Sequence, residues 1–219
     1  MKYFKYIIHW LQVKFLPNTL VPHQRFSLVD TRKVVTESIK QSKNYLEYGG
    51  GWSTKIASTY GVNFLSIESD KTFCKYLSKK YVNNPNQYVK YIDIGITTRW
   101  GYPLHFSTRE GDVKKYYEYV SFPFKNSNER LHFDTILIDG RFRISCFLQV
   151  LIDFAKYNKN SKVIFDDFFV DSRESYQFLL DYINEFDKHG SVCIIEINQN
   201  NVKKIPDFSD IEKYLEDPS

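Results

Sequence analysis

A chain of 219 residues with 42% hydrophobic and 26% charged side chains is long enough for one α/β domain with a sizeable core, and its usage is ordinary for a globular protein. A net charge of +4, scattered without a basic run that could track a phosphate backbone, leaves nucleic acid outside the expected partners. Cys74, Cys146 and Cys193 show neither a C-x-x-C pair nor metal-ligand spacing and sit in apolar patterns, which reads as buried thiols in a reducing, cytoplasmic setting.

Residues 1–16 carry apolar runs broken by Lys5, His9, Gln12 and Lys14, so neither a signal peptide nor a transmembrane segment is expected. Helical spacing sets Phe4, Ile7, Ile8 and Leu11 on one face, suited to packing on the domain or on a partner, a second copy of the chain included, or to lying at a membrane surface. Pro17 and Pro22 punctuate the join, which divides the chain into an amphipathic arm over 1–26 and a main domain over 27–219.

Asp30 is placed to cap a helix over 31–43. Strands are then expected over 45–48, 64–68 and 88–92, with helices over 54–60 and 72–81 between them. After a longer connection come a strand over 135–138, a helix over 144–157, a strand over 163–165 and a helix over 173–188. Such alternation means βαβ units and a parallel sheet covered on both faces. Runs over 192–197 and 202–205, joined by Asn198-Gln199-Asn200-Asn201, read as a hairpin. The expected fold is a Rossmann-like, doubly wound, seven-stranded sheet, mostly parallel with a C-terminal antiparallel hairpin.

Directly at the end of the first strand stands Glu47-Tyr48-Gly49-Gly50-Gly51-Trp52-Ser53. Consecutive glycines permit a sharp turn and a close backbone approach to a ligand, and Ser53 is placed to cap the next helix, the build of a nucleotide-cradling loop. Glycines also serve tight turns that hold nothing, so the discriminating residue is Glu68, 21 positions after Glu47 at the end of the second strand. There a carboxylate can accept both ribose hydroxyl protons of an adenosine, unless it only caps the turn at Ser69 and Asp70. The residue three beyond Gly51 is Thr54, so the G-x-G-x-x-G pyrophosphate fingerprint is missing.

Asp139 follows the fourth strand, and Asp166 and Asp167 follow the fifth. Oxygen ligands converging from two strands suit Mg²⁺, Mn²⁺ or Ca²⁺, because adjacent carboxylates repel unless a cation or protons offset their charge. The same acids can instead brace loops, and Arg141 and Arg143 can neutralise them without a metal, or Arg141 can hold an anionic substrate group. Candidate general bases are Asp139, Asp166 and His105. The turn-rich segment 93–103 is expected to line the pocket, with Asp93 facing an adenine amino group and Trp100 and Tyr102 stacking on a ring, unless it packs its own aromatics.

Leu46-Glu47-Tyr48-Gly49-Gly50-Gly51 resembles motif I of the class I S-adenosylmethionine-dependent methyltransferases: an acid, a spacer, then G-x-G. Glu47 stands at the family's acidic position, and Ser53 stands where the family often has a third glycine. The resemblance covers residues 31–205 as a pattern and order of elements. It implies S-adenosylmethionine as cofactor, held by Glu47, Gly49, Gly50, Gly51, Ser53, Glu68 and Asp93. The three acids are similar to those of metal-dependent O-methyltransferases of the catechol and the macrolide- or aminocoumarin-sugar types. That implies Asp139 and Asp166 as Mg²⁺ ligands, with Asp167 in place of the family's Asp or Asn, and a metal that lowers the pKa of the oxygen to be methylated.

With Asp-Ile-Gly, Trp-Gly-Tyr-Pro, Ile-Asp-Gly-Arg-Phe-Arg and Phe-Asp-Asp-Phe, the sequence is also similar to an uncharacterised methyltransferase-like group found among bacterial surface-polysaccharide genes. This implies O-methylation of a sugar or other small hydroxylated acceptor, with Asp139, Asp166 and Arg141 at the reaction and Trp100, Tyr102 and Arg143 against the acceptor. Two readings stand beside it: a non-catalytic subunit of the same fold docking through the arm, and a nucleotide-sugar transferase using the same crevice.

Overall fold

Strand residues sort onto two faces by alternation, and the helices follow that sorting. The computed structural model describes residues 2–17, 29–125, 132–215 and 217–218. Its strands are β1 (Asn44–Tyr48), β2 (Asn63–Glu68), β3 (Gln87–Tyr91), β4 (Thr135–Ile138), β5 (Ser161–Phe165), β6 (Asp187–His189) and β7 (Val192–Ile197). In chain order the helices are α1 (Lys2–Phe15), α2 (Val29–Gln41), α3 (Trp52–Thr59), α4 (Lys71–Tyr81), α5 (Glu110–Lys125), α6 (Arg143–Tyr157) and α7 (Phe208–Tyr214).

Leu46, Tyr48, Ile136, Ile138, Val163 and Phe165 turn to one face and share a core with α5, α6 and α7. Tyr45, Phe64, Leu137 and Ile164 turn to the other, against Val35 and Ile39 of α2 and Trp52 and Ala57 of α3. Beside them, Phe73 and Leu77 of α4 cluster with Val13 of α1. Burial on both faces is why the central strands read as continuous apolar runs.

The sheet order is β3-β2-β1-β4-β5-β7-β6. β1 to β5 are parallel, and β7 runs antiparallel to both β5 and β6. The winding reverses between β1 and β4, which opens a crevice at the carboxyl ends of those strands. The fold is therefore the expected one, a Rossmann-like, mostly parallel sheet closed by antiparallel C-terminal strands.

The hairpin is built from other residues than 202–205. β7 pairs with β6 across Gly190, while Val202 makes a single bridge to Ile183. Pro206 lacks a backbone donor, and Asp207 then caps α7 by accepting from Asp210 N at 3.0 Å. The helix expected over 173–188 is a 3₁₀ stretch, Asp171–Tyr182, followed by an extended return. Buried Asn201 explains the ending: its Oδ1 accepts from Asn184 N at 3.0 Å and Glu185 N at 2.6 Å, donors that a continuing helix would spend on itself.

α5 fills the long connection before β4, where the sequence reading placed no helix. Pro123 in its last turns interrupts a period that buries Tyr116, Tyr119 and Val120. α2 begins at Val29, so Asp30 lies in its first turn and meets the helix dipole there instead of capping it.

The arm also turns the other way. Ile7, Ile8 and Leu11 are 51%, 48% and 42% exposed, while His9 and Val13, one helical turn apart, are buried. A hydrogen bond from His9 to Asp70 at 3.3 Å fixes which side faces inward. The side chain of Phe4, and Pro22 with its end of the join, lie outside the described residues.

β1 and β4 run so close at their carboxyl ends that Gly49, at φ +87°, has room for no Cβ: one placed there would lie 2.8 Å from the Gly140 Cα. Backbone meets backbone, so neither side can yield cheaply. Gly49→Ala is expected to lower stability by about 2 kcal/mol or more, read as a reduced urea midpoint at an unchanged slope.

Candidate functional site

The cleft at this edge has a volume of about 280 Å³ and is lined by the Gly49-Gly50-Gly51-Trp52-Ser53 loop, Glu68, Ser69, Asp70, the 100–102 strap, Tyr119, and Asp139 to Arg141 with Arg143 and Asp167. The helix after the loop starts at Trp52 with Gly51 as the flanking residue, so Ser53 sits inside α3 and does not cap it. Its hydroxyl donates instead to Glu47 Oε2, and that of Thr54 donates to Glu47 Oε1. Tyr45 adds a third hydroxyl at 3.1 Å. Glu47 is wholly buried beneath the loop and does not line the cleft. Burial pushes its carboxyl up, and the hydroxyl donors pull it back down. Thr54 Oγ1 also accepts from Gly51 N at 2.8 Å, which locks the glycine turn to the acid.

Glu68 closes the opposite wall. Oε2 accepts from Gly50 N at 3.2 Å, and Oε1 accepts from Ser69 N at 2.7 Å and Asp70 N at 2.9 Å. The turn-capping and cleft-lining roles weighed from the sequence thus coexist in one carboxylate. Burial pushes it from the usual 4.5 up to about 7, against the backbone donors.

Asp70 caps α4 through Thr72 N and Phe73 N, both at 2.8 Å, while its other oxygen meets His9. Burial would raise its carboxyl, but the His9 bond and these amides hold it below the usual value. α1 thereby becomes part of the cleft, since His9 lines it. That contribution had no sequence signal beyond a histidine interrupting an apolar run.

Segment 93–103 divides. Trp100, at φ +64°, Gly101 and Tyr102 lie against the cleft, braced by the Thr97–Pro103 bridge. Asp93 does not reach it: exposed, it accepts from Gly95 N at 2.9 Å and Tyr91 at 3.1 Å and borders a neighbouring groove with Trp10 and Ile96. His105 is exposed and outside the cleft lining.

At the far end, ligand atoms of Asp139, Asp166 and Asp167 lie within 4.8 Å of one another, a spacing that one cation could bridge. Arg143 is already among them. Its Nη2 donates to Asp139 Oδ1 at 3.1 Å, Nη1 to Asp167 Oδ2 at 3.2 Å and to Asp166 O at 2.6 Å, and Nε to Gly140 O at 3.1 Å. Burial works against the guanidinium charge, yet Asp139 and the neighbouring acids hold it firmly protonated. Arg143 is 2% exposed and paired with Asp139 and Asp167, so it builds the wall that carries them. Tyr119 of α5 is a lining residue that the sequence reading missed; its hydroxyl accepts from Arg141 N at 3.4 Å.

No protein-family model matches the chain, and no curated protein matches it either. Among solved structures, it is similar to a methyltransferase-like protein from Silicibacter pomeroyi, at a TM-score of 0.74 and 21% identity over 91% of this chain and 100% of that one. A cofactor-bound protein from MTB is similar at a TM-score of 0.53 and 10% identity, over 90% of each chain. An O-methyltransferase from Bacillus cereus in complex with SAH follows at 0.47 and 14% identity, over 93% of this chain and 100% of that one. The first of these likenesses establishes the Rossmann-like methyltransferase fold; the substrate chemistry has to be argued from the site itself.

Because the folded state holds the Glu68 proton up to about pH 7 while an exposed chain releases it near 4.5, its contribution to stability is complete below 4.5 and is lost as pH rises through 7. The ionised group should cost about 3 kcal/mol at pH 8. Urea unfolding of the wild type should therefore weaken between pH 5 and 8 by about 2 kcal/mol more than that of Glu68→Gln, and equal slopes for the two proteins would contradict the placement.

Proposed function

We infer that the chain transfers a methyl group from S-adenosylmethionine to a hydroxyl of a small acceptor, with a saccharide as the leading class. The observation that carries this reading is the buried Glu68 carboxylate facing the cleft beside the Gly50 amide, where a ribose diol can donate to it. The cofactor supplies an activated methyl group on a sulfonium. The chain's own part is to hold the ribose at Glu68, to let the loop backbone approach at Gly49, Gly50 and Gly51, and to exclude water with Trp52 and Tyr119. Asp139, Trp100 and Tyr102 line the cleft, and in this reading Asp139 accepts the acceptor's proton while the two rings meet a sugar.

The donor set of Asp139, Asp166 and Asp167 fits Mg²⁺ by oxygen chemistry and spacing, and Asp139 and Asp166 with Asp167 would be the residues to hold it. Arg143 offers the alternative, a built-in cation bonded to two of the three carboxylates, and we favour it because both ion pairs are already made. Among the described residues no helix is long and apolar enough to cross a membrane. A cytoplasmic location, and docking of a partner or second copy on the exposed apolar residues of α1, belong to the same proposal.

Calorimetric titration with S-adenosylhomocysteine tests the cofactor assignment. Binding is expected to tighten several-fold from pH 6 to 8, because hydroxyl donors favour ionised Glu68, and to be lost in Glu68→Ala. No binding to the wild type would end the methyltransferase reading, and binding of a nucleotide-sugar instead would favour the transferase alternative. For the metal, Mn²⁺ titration followed by electron paramagnetic resonance should find no stoichiometric site tighter than about 1 mM; a tighter site abolished by Asp166→Ala would establish the cation.

A further inference from the structure

Two arginines stand two residues apart on the cleft wall, and they are in opposite condition. Arg143 spends its guanidinium on the carboxylates of Asp139 and Asp167 and on three carbonyl oxygens. Arg141 is 4% exposed, yet among the described residues no carboxylate lies within ion-pair distance of it. Its Nη1 donates to the carbonyl of Pro218 at 3.1 Å, its guanidinium lies 4.0 Å from the Tyr102 ring centroid, and its Nε has no partner.

A guanidinium cannot shed its proton to escape burial, so an uncompensated one in a dry wall is stable only at a cost that an incoming anion relieves. The nearby Arg143 adds like charge. Among the described residues, the groups around Arg141 hold its plane without neutralising it: the Tyr102 ring lies against it and Pro218 takes one donor. Gly101, at φ +74°, lets the strap pass close to the wall, a Cβ there lying 2.9 Å from Ser69 Oγ. The side chain lines the cleft together with Asp139, two residues away in the chain.

Resting on the methyltransferase reading above, we propose that Arg141 receives an oxyanion of the acceptor, so that the substrate is a hydroxylated compound bearing a carboxylate or phosphate rather than a neutral sugar. A fork of guanidinium donors matches either group, and the fixed plane against Tyr102 would orient the acceptor hydroxyl toward Asp139.

The same charge could instead meet the carboxylate of the cofactor's own methionine end, and the experiment separates the two sources. Inorganic phosphate is titrated at constant ionic strength into wild-type protein saturated with S-adenosylhomocysteine, with thermal unfolding as the readout. Saturable stabilisation is expected, and Arg141→Gln should weaken phosphate binding at least tenfold while changing S-adenosylhomocysteine affinity less than threefold. Arg141→Lys should retain part of the phosphate response.

Absence of any saturable phosphate effect on the liganded wild type overturns the proposal without reference to a variant. So does an Arg141→Gln protein that loses S-adenosylhomocysteine instead, which would assign the arginine to the cofactor. Failure of S-adenosylhomocysteine to bind the wild type at all is a different result and counts against the methyltransferase reading.

Discussion

The site rests on a carboxylate that lies outside the cleft lining. Glu47 lies beneath the glycine turn with hydroxyls of Ser53, Thr54 and Tyr45 bonded to it, and it ties the end of β1 to the first turn of α3. A buried acid is tolerated only when its oxygens are satisfied, and here the groups that satisfy it come from the elements that must be held together. Thr54 carries the constraint one step further by accepting from Gly51 N. The loop backbone is thus fixed in a shape that glycine alone would leave free, and the amide of Gly50 points at Glu68 as a consequence.

The parallel register propagates that order. Glu47 pairs beside Ser66 and Leu137, so the residues just beyond, Gly49, Glu68 and Asp139, emerge side by side at one edge. Chemistry collects there because three strands end together where the winding reverses. α1 then closes the near side through His9 and Asp70, while α5 supplies Tyr119 from the opposite face. α1 comes from outside the βα units and α5 is the crossover helix between β3 and β4, and each enters the cleft through one polar group.

What was legible in the sequence follows from the same physics. Central strands buried on both faces leave short, mostly apolar runs, broken only by Glu47 in β1 and Ser66 in β2, so β1, β2 and β4 could be placed to within a residue or two. The glycine turn and Glu68 were visible because local backbone freedom and a fixed strand spacing are sequence properties. The failures were tertiary. Asn201 ends the stretch at Tyr182 from 17 residues away from Asn184, Pro123 hides the period of α5, and a His9 bond to Asp70 inverts the arm against its hydrophobic pattern. Asp93 was expected in the pocket as part of the turn-rich 93–103 segment; its side chain accepts from Tyr91 and Gly95 and borders the neighbouring groove.

The charges at the end of the cleft show most clearly what composition conceals. Asp139, Arg141, Arg143, Asp166 and Asp167 read in sequence as one mixed cluster, open equally to a metal, to mutual neutralisation or to an anionic ligand. Geometry splits it. Arg143 reaches back beneath Gly140 and gathers Asp139 and Asp167, whereas Arg141 is turned against Tyr102, with no acid among the described residues in ion-pair distance. The difference arises from the left-handed turn at Phe142, φ +54°, which separates the directions of the two side chains at the start of α6. The two guanidinium groups, two residues apart in the chain, are thereby sent to different partners: Arg143 to Asp139 and Asp167, Arg141 to Tyr102 and Pro218.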